Sequence, residues 1–112
     1  DNRPRMGRVA ASLSDRVVIT MDNPRSEDPA QIAKEILGGV ITEAERKVPP
    51  EVILDRCEAI FSVLDRAGGG DVILIAGKGP ERNIIFSDRV IPHQDSESVE
   101  EWSLARGVKW AK

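Results

Sequence analysis

"VVITMDNPRSEDP", residues 17–29, runs from an apolar segment through a polar turn into a helix start. Val17-Val18-Ile19-Thr20 is a short β-branched run, the pattern of a strand buried on both faces. Asp28 is a good helix N-cap, Pro29 suits the first helical position, and Gln31 completes a capping-box-like pattern. Ile32, Ile36, Leu37 and Val40 then continue as an apolar stripe, which Gly38-Gly39 is expected to weaken or end. Strand, tight turn and helix in this order are the working unit of an α/β layer.

Working outward, Met6, Val9, Ala10 and Leu13 recur at helical spacing, so the periodicity predicts a helix over about 5–14. Residues 41–49 are polar and read as a connection. Pro49-Pro50 is expected to open a helix with the stripe Ile53, Leu54, Cys57, Ile60, Phe61 and Leu64, stopped by Gly68-Gly69-Gly70. Asp71-Val72-Ile73-Leu74-Ile75-Ala76 is the strongest strand signal in the chain. Ile84-Ile85-Phe86 reads as a further short strand, 90–97 as a polar loop, and 97–106 as a final helix on Val99, Trp102 and Leu104/Ala105. The prediction is an α/β fold: a partial, Rossmann-like, mostly parallel sheet flanked by helices. Two or three strands make a thin sheet, so the chain is expected to be part of a larger domain or to have its edge covered.

At 112 residues the chain suggests one domain with a modest core. It starts without Met, which suggests processing or a fragment. A hydrophobic fraction of 40% and a charged fraction of 31% are globular values. The net charge of −3 gives no reason to expect direct contact with nucleic acid or an anionic membrane. There is no apolar run of membrane-spanning length. The lone Cys57 rules out an internal disulfide and fits a reducing compartment. With a single His and a single Cys, no metal site is expected.

Ligands of open parallel sheets sit beyond the carboxyl ends of the strands. Here both strand signals end in unusual loops, VVIT in MDNPRSEDP and DVILIA in GKGPE. The first loop offers Asp22, Asn23 and Arg25, with Pro24 stiffening it. Arg25 can fork onto a carboxylate, and Asn23 can donate and accept at once. The second offers Gly77, Lys78 and Gly79, and then Glu81, a carboxylate suited to an ammonium. Together Arg25 and Glu81 would make a zwitterion clamp. The same residues also suit an Asx turn with a solvated Arg25, and a plain strand-end turn. GKG is not a Walker A loop, since GxxxxGK[ST] is absent. His93 reads as a surface residue, Cys57 as a buried small hydrophobe, and Trp102 and Trp110 as packing or interface residues. Asp95, Glu97, Glu100 and Glu101 read as a solvated helix start, and Arg3, Arg5 and Arg8 as a basic surface patch. No catalytic residue is assigned.

DNPRSEDP at 22–29 with AGKG at 76–79 resembles the C-terminal domain of the Mur ligases, and most closely the UDP-N-acetylmuramoyl-tripeptide synthetases that add meso-diaminopimelate. Arg3-Pro4-Arg5-Met6-Gly7 is similar to the family's RPxMG segment, Arg56-Cys57-Glu58-Ala59-Ile60 to its DRxEAI helix, and Phe86-Ser87-Asp88-Arg89 to its FxDR. The resemblance covers about residues 1–89, leaving 90–112 as a divergent tail with a helix in it. It implies a domain whose first strand-helix-strand unit is missing here. It also implies a ligase that activates the carboxylate of UDP-MurNAc-L-Ala-D-Glu with ATP and Mg²⁺, bound mainly by a central domain absent from this chain. Asn23, Arg25, Gly77 and Glu81 would be the diaminopimelate contacts, supported by Asp22, Pro24 and Lys78. The implied partners are meso-diaminopimelate or a similar amino acid, and the central and N-terminal ligase domains or another chain. The implied place is the cytoplasm, or a plastid if the module serves instead as a scaffold in a transcription-associated complex with ligase activity lost. Pro80 stands where the family has His, and Arg82-Asn83-Ile84 departs from its aromatic-Gln continuation. Pro80 lacks an N–H and biases Gly79 toward extended geometry, which is expected to re-aim Glu81.

Overall fold

A computed structural model describes residues 2–41, 48–78 and 81–107. Among them the chain runs α1 (Arg3–Leu13), β1 (Val18–Ile19), α2 (Pro29–Ile41), β2 (Glu51–Val52), α3 (Arg56–Arg66), β3 (Asn83–Ile85), β4 (Val90–Pro92) and α4 (Asp95–Arg106). The fold is α/β, as the alternation predicted.

β1 and β2 pair in parallel, Val18 opposite Glu51 and Ile19 opposite Val52. The connection between them contains α2, as a parallel crossover requires. The Glu51 N–H donates to Val17 C=O at 3.1 Å and the Ile53 N–H to Ile19 C=O at 2.9 Å. The Thr20 hydroxyl extends this seam by donating to Leu54 C=O. Ile19, Ala11, Ala33 and Val40 form the buried centre, with Val17, Ile36, Leu37 and Leu54 packed around it. Burying a Val or Ile of this kind contributes roughly 1.5–3 kcal/mol.

Asp28 caps α2 as expected, its side chain accepting from the Ala30 N–H at 3.0 Å. The Gly38-Gly39 pair, however, does not end the helix, which continues to Ile41. The reason is contact with α1. A Cβ on Gly39 would lie 1.8 Å from the Pro4 carbonyl oxygen, and one on Gly7 would lie 2.0 Å from that of Ile36. The glycines let the two helix backbones touch.

Three further expectations are corrected. Pro49-Pro50 does not open a helix: Glu51–Val52 is a strand, and α3 starts at Arg56 behind the cap Asp55, which accepts from the Glu58 N–H. Residues 90–97 are not one polar loop. Val90–Pro92 pairs antiparallel with Asn83–Ile85, and α4 already begins at Asp95. Phe86–Arg89 is therefore the turn of a hairpin. Finally, 71–76 joins no ladder among the described residues. It keeps a strand's alternation, with Ile73 and Ile75 half-buried but Val72 and Leu74 almost fully exposed. Its composition is that of an inner strand, yet a strand exists only where a neighbour supplies hydrogen bonds. The expected Gly79–Pro80 geometry, Trp110 and most of the 41–49 connection lie outside the described residues.

Candidate functional site

The loop after β1 is shaped by its own side chains and then pinned to β3. Asp22 Oδ1 accepts from the N–H of the next residue, Asn23, at 2.6 Å. Pro24 is buried. Arg25 takes a positive φ of 56°, the one non-glycine residue to do so among those described. Its N–H donates to Ile85 C=O at 2.9 Å, and it forms a bridge beside Phe86. In return the Ile85 N–H donates to Asn23 Oδ1 at 3.0 Å. The left-handed backbone at Arg25 costs roughly 1–2 kcal/mol in an L-residue and persists here because β3 holds it on both sides.

The second loop meets the first. Lys78 is buried, and its ammonium donates to Asn23 Oδ1 at 2.9 Å and to Glu81 Oε1 at 3.3 Å. Asn23 Nδ2 donates to Glu81 Oε1 at 3.2 Å. The two loops that the sequence separated by more than fifty residues thus share a hydrogen-bonded cluster. Gly77, with φ at +97°, supplies the left-handed turn before Lys78. The Arg25 guanidinium is exposed and forms no ion pair among the described residues. Asn23, Arg25 and Glu81 therefore offer donors and a carboxylate on adjoining loops, with Lys78 beneath them.

Beneath the loops stands a residue to which the sequence reading gave no role. Arg56 is 3% exposed and lies at the first position of α3. It donates to Met21 C=O at 3.1 Å and to Ala76 C=O at 3.0 Å, so it ties together the roots of both loops. Its Nε and a terminal nitrogen grip Asp95 at 2.7 and 2.8 Å. His93 Nε2 lies 2.7 Å from Asp95 Oδ1. Burial alone would raise the Asp95 carboxyl, but the hydrogen bonds from Arg56 and His93 outweigh it and hold Asp95 below the ordinary carboxylate range. A signal was present: a cation in the first turn of a helix opposes the macrodipole, so Arg56 there asks for a carboxylate partner.

This network corrects several expectations. His93 is not a surface residue, and Asp95 is not part of a solvated helix start; both side chains are nearly buried. On α4 it is Asp95, Ser98 and Ser103 that are buried, while Leu104 is exposed. Cys57 is half-buried rather than buried, and accepts a long contact from the Ser98 hydroxyl at 3.8 Å. Arg3 is no free surface charge: it grips Glu27 with both terminal nitrogens and reaches Glu35, fastening α1 to the start of α2. Trp102 packs near α3, its Nε1 donating to Asp65 at 2.8 Å.

Comparison with known proteins adds an independent line. The family described as Mur ligase, glutamate ligase domain, matches residues 1–79. Similar proteins include the UDP-N-acetylmuramoyl-L-alanyl-D-glutamate--2,6-diaminopimelate ligases of Synechococcus sp. (strain WH7803), 42% identical over 99 residues, and Zymomonas mobilis, 47% identical over 97. These alignments cover 88% and 83% of this chain but 19% and 18% of those proteins. A solved structure of a ligase of the same description superposes with a TM-score of 0.83 at 34% identity, covering 96% of this chain and 21% of that one. The chain spans about a fifth of the length of the relatives it matches.

Proposed function

Because the chain belongs to the Mur ligase family, through its glutamate ligase domain, we propose that it is the amino-acid-binding portion of an ATP-dependent ligase that joins meso-diaminopimelate to UDP-MurNAc-L-Ala-D-Glu in peptidoglycan synthesis. The observation that carries this reading is the meeting of Asn23 and Glu81 at 3.2 Å, beside an Arg25 whose backbone is held in a strained conformation. Strain kept by surrounding structure is common at binding sites.

In this reading one end of the amino acid lies across the two loops. Its carboxylate takes charge-assisted hydrogen bonds from Arg25 and from Asn23 Nδ2, and its ammonium donates to Glu81. Gly77, having no side chain, leaves room for the ligand against the backbone. Asp22 and Pro24 shape and stiffen the first loop, so less order is acquired on binding. The distal end is thereby fixed, and the other amine is free to be aimed at an activated carboxylate.

ATP and Mg²⁺ would activate that carboxylate in the complete ligase. Among the described residues no group of three His, Cys, Asp or Glu side chains is placed to hold a metal ion. The sequence also lacks a GxxxxGK[ST] loop. The described residues do not fit an ATP–Mg²⁺ site. The partner is accordingly the remainder of the ligase, and the exposed Val72 and Leu74 fit a surface that it covers. The unpaired Cys57 fits work in the cytoplasm.

Titration calorimetry with meso-diaminopimelate tests the reading. Binding is expected to weaken about tenfold or more in Arg25→Ala, the loss of a charge-assisted pair. Lysine, which lacks the distal carboxylate, is expected to bind more weakly than diaminopimelate. No heat when the chain is joined to the rest of the ligase, or unchanged affinity in Arg25→Ala, would rule the proposal out.

A further inference from the structure

Lys78 places its terminal nitrogen where its side chain has no exposure at all. A buried ammonium is costly unless it is paired and hydrogen-bonded, so its presence asks for a role. It cannot touch a ligand itself. It acts through the two groups it binds, Asn23 Oδ1 at 2.9 Å and Glu81 Oε1 at 3.3 Å.

A side-chain amide has two faces of opposite chemistry, and which one meets a ligand decides what it recognises. At Asn23 the oxygen takes two N–H donors, from Lys78 Nζ and from the Ile85 backbone. The nitrogen faces Glu81 Oε1, an acceptor. A flipped amide would set its NH₂ against two donors and its oxygen against a carboxylate. Of the contacts that fix the orientation, Lys78 supplies the shortest donor to the oxygen, and it reaches Glu81 as well. Glu81 Oε1 is thereby taken up by Lys78 and Asn23, while Oε2 carries no partner among the described residues.

We propose that Lys78 is a positioning residue that fixes the Asn23 amide with its oxygen inward and its N–H donors outward, and so makes this part of the site a reader of carboxylates. The recognition chemistry rests on the function proposed above; the orientation of Asn23 does not. With the oxygen turned inward, Asn23 and Arg25 are both donors, and they suit one anionic group. Glu81 Oε2 is left as the acceptor for a cation.

The test is nuclear magnetic resonance on the ligand-free chain, followed by titration with meso-diaminopimelate. In wild type, the Asn23 Nδ2 protons are expected as one resolved pair, with the proton on Glu81 exchanging more slowly than the one turned outward. In Lys78→Met, which keeps the buried stem and loses the ammonium, that pair should shift and exchange faster while backbone amides distant from the loops stay in place. Affinity for diaminopimelate should fall about tenfold or more, the worth of a charged hydrogen bond. γ-Thialysine at 78, made by aminoethylating K78C in a C57S background, should restore both. An unchanged Asn23 pair in folded Lys78→Met, unchanged affinity there, or failure of the restored ammonium to rescue the Asn23 signal overturns the proposal. If Lys78→Met does not fold, the wild-type Lys78 ammonium decides: a slowly exchanging signal with cross-relaxation to Asn23 supports it, and rapid exchange overturns it. A wild-type chain that ignores diaminopimelate, yet shows the Lys78-dependent Asn23 pair, sinks the ligand reading and keeps the positioning role.

Discussion

Arg25 shows how much one residue's backbone can determine. Its φ of 56° suits glycine or asparagine better than arginine. Arg25→Gly removes the left-handed penalty but loosens the unfolded chain by roughly 0.5–1 kcal/mol. Folding stability in urea should therefore change by less than about 1 kcal/mol, while diaminopimelate binding by calorimetry falls as in Arg25→Ala. Equal loss of both would mean that Arg25 is structural. Asn23, Arg25 and Glu81 stood out in the sequence as candidates because their chemistry is unusual for a strand-end turn, and the structure brings their loops together. The left-handed Arg25 was not, since its cause is the Ile85 carbonyl, sixty residues away. His93 and Asp95 were misread for the same reason. Their neighbours in sequence are polar, but the partner that buries them, Arg56, sits on α3.

At the scale of elements, the glycines of α2 separate two roles that a sequence cannot distinguish. Gly38 faces open space, with nothing within 4 Å of where an added methyl would sit, whereas Gly39 abuts the Pro4 backbone. Gly38→Ala should raise stability by up to about 1 kcal/mol through helix propensity. Gly39→Ala gains the same propensity yet should destabilise by about 1–3 kcal/mol, because the methyl has no room and the helices must part. Thermal unfolding of the two variants checks this, and a shift of the same sign in both would refute the close approach of α1 and α2. The helices themselves were readable, since their periodicity and the caps Asp28 and Asp55 are local. The 71–76 segment was readable as strand material only, because pairing depends on a neighbour and not on composition.

Over the whole molecule, the chain exposes 7673 Å², whereas a free-standing protein of its mass would expose about 6,100 Å². It is also flat, with extents of 39 × 39 × 18 Å. Both describe a chain packed less compactly than a free-standing domain of this mass. What joins its parts is the Arg56–Asp95 pair, and acid should undo it. Asp95 is depressed from an ordinary value of 3.8, so its stabilisation is complete above that pH and is lost as pH falls through the lower folded value. Asp95→Asn, which leaves Arg56 buried without its counter-charge, should cost about 3–5 kcal/mol near neutrality. The gap between wild type and variant in urea should then close below about pH 4. A gap that stays constant with pH would show that the pair is not ionic. Glu27 and Asp65, also depressed by their arginine partners, are present in both proteins and cancel. The helices, the short runs that became β1 and β3, and the two unusual loops could be read from local sequence, because periodicity, caps and turn chemistry act over a few residues. Only the tertiary structure decided that Asn23 faces Glu81, that Lys78 lies beneath both, and that Arg56 binds the loops' roots. Apart from Lys78 with Glu81, those contacts join residues 20 to 58 positions apart, and no local pattern encodes which partners will share a buried site.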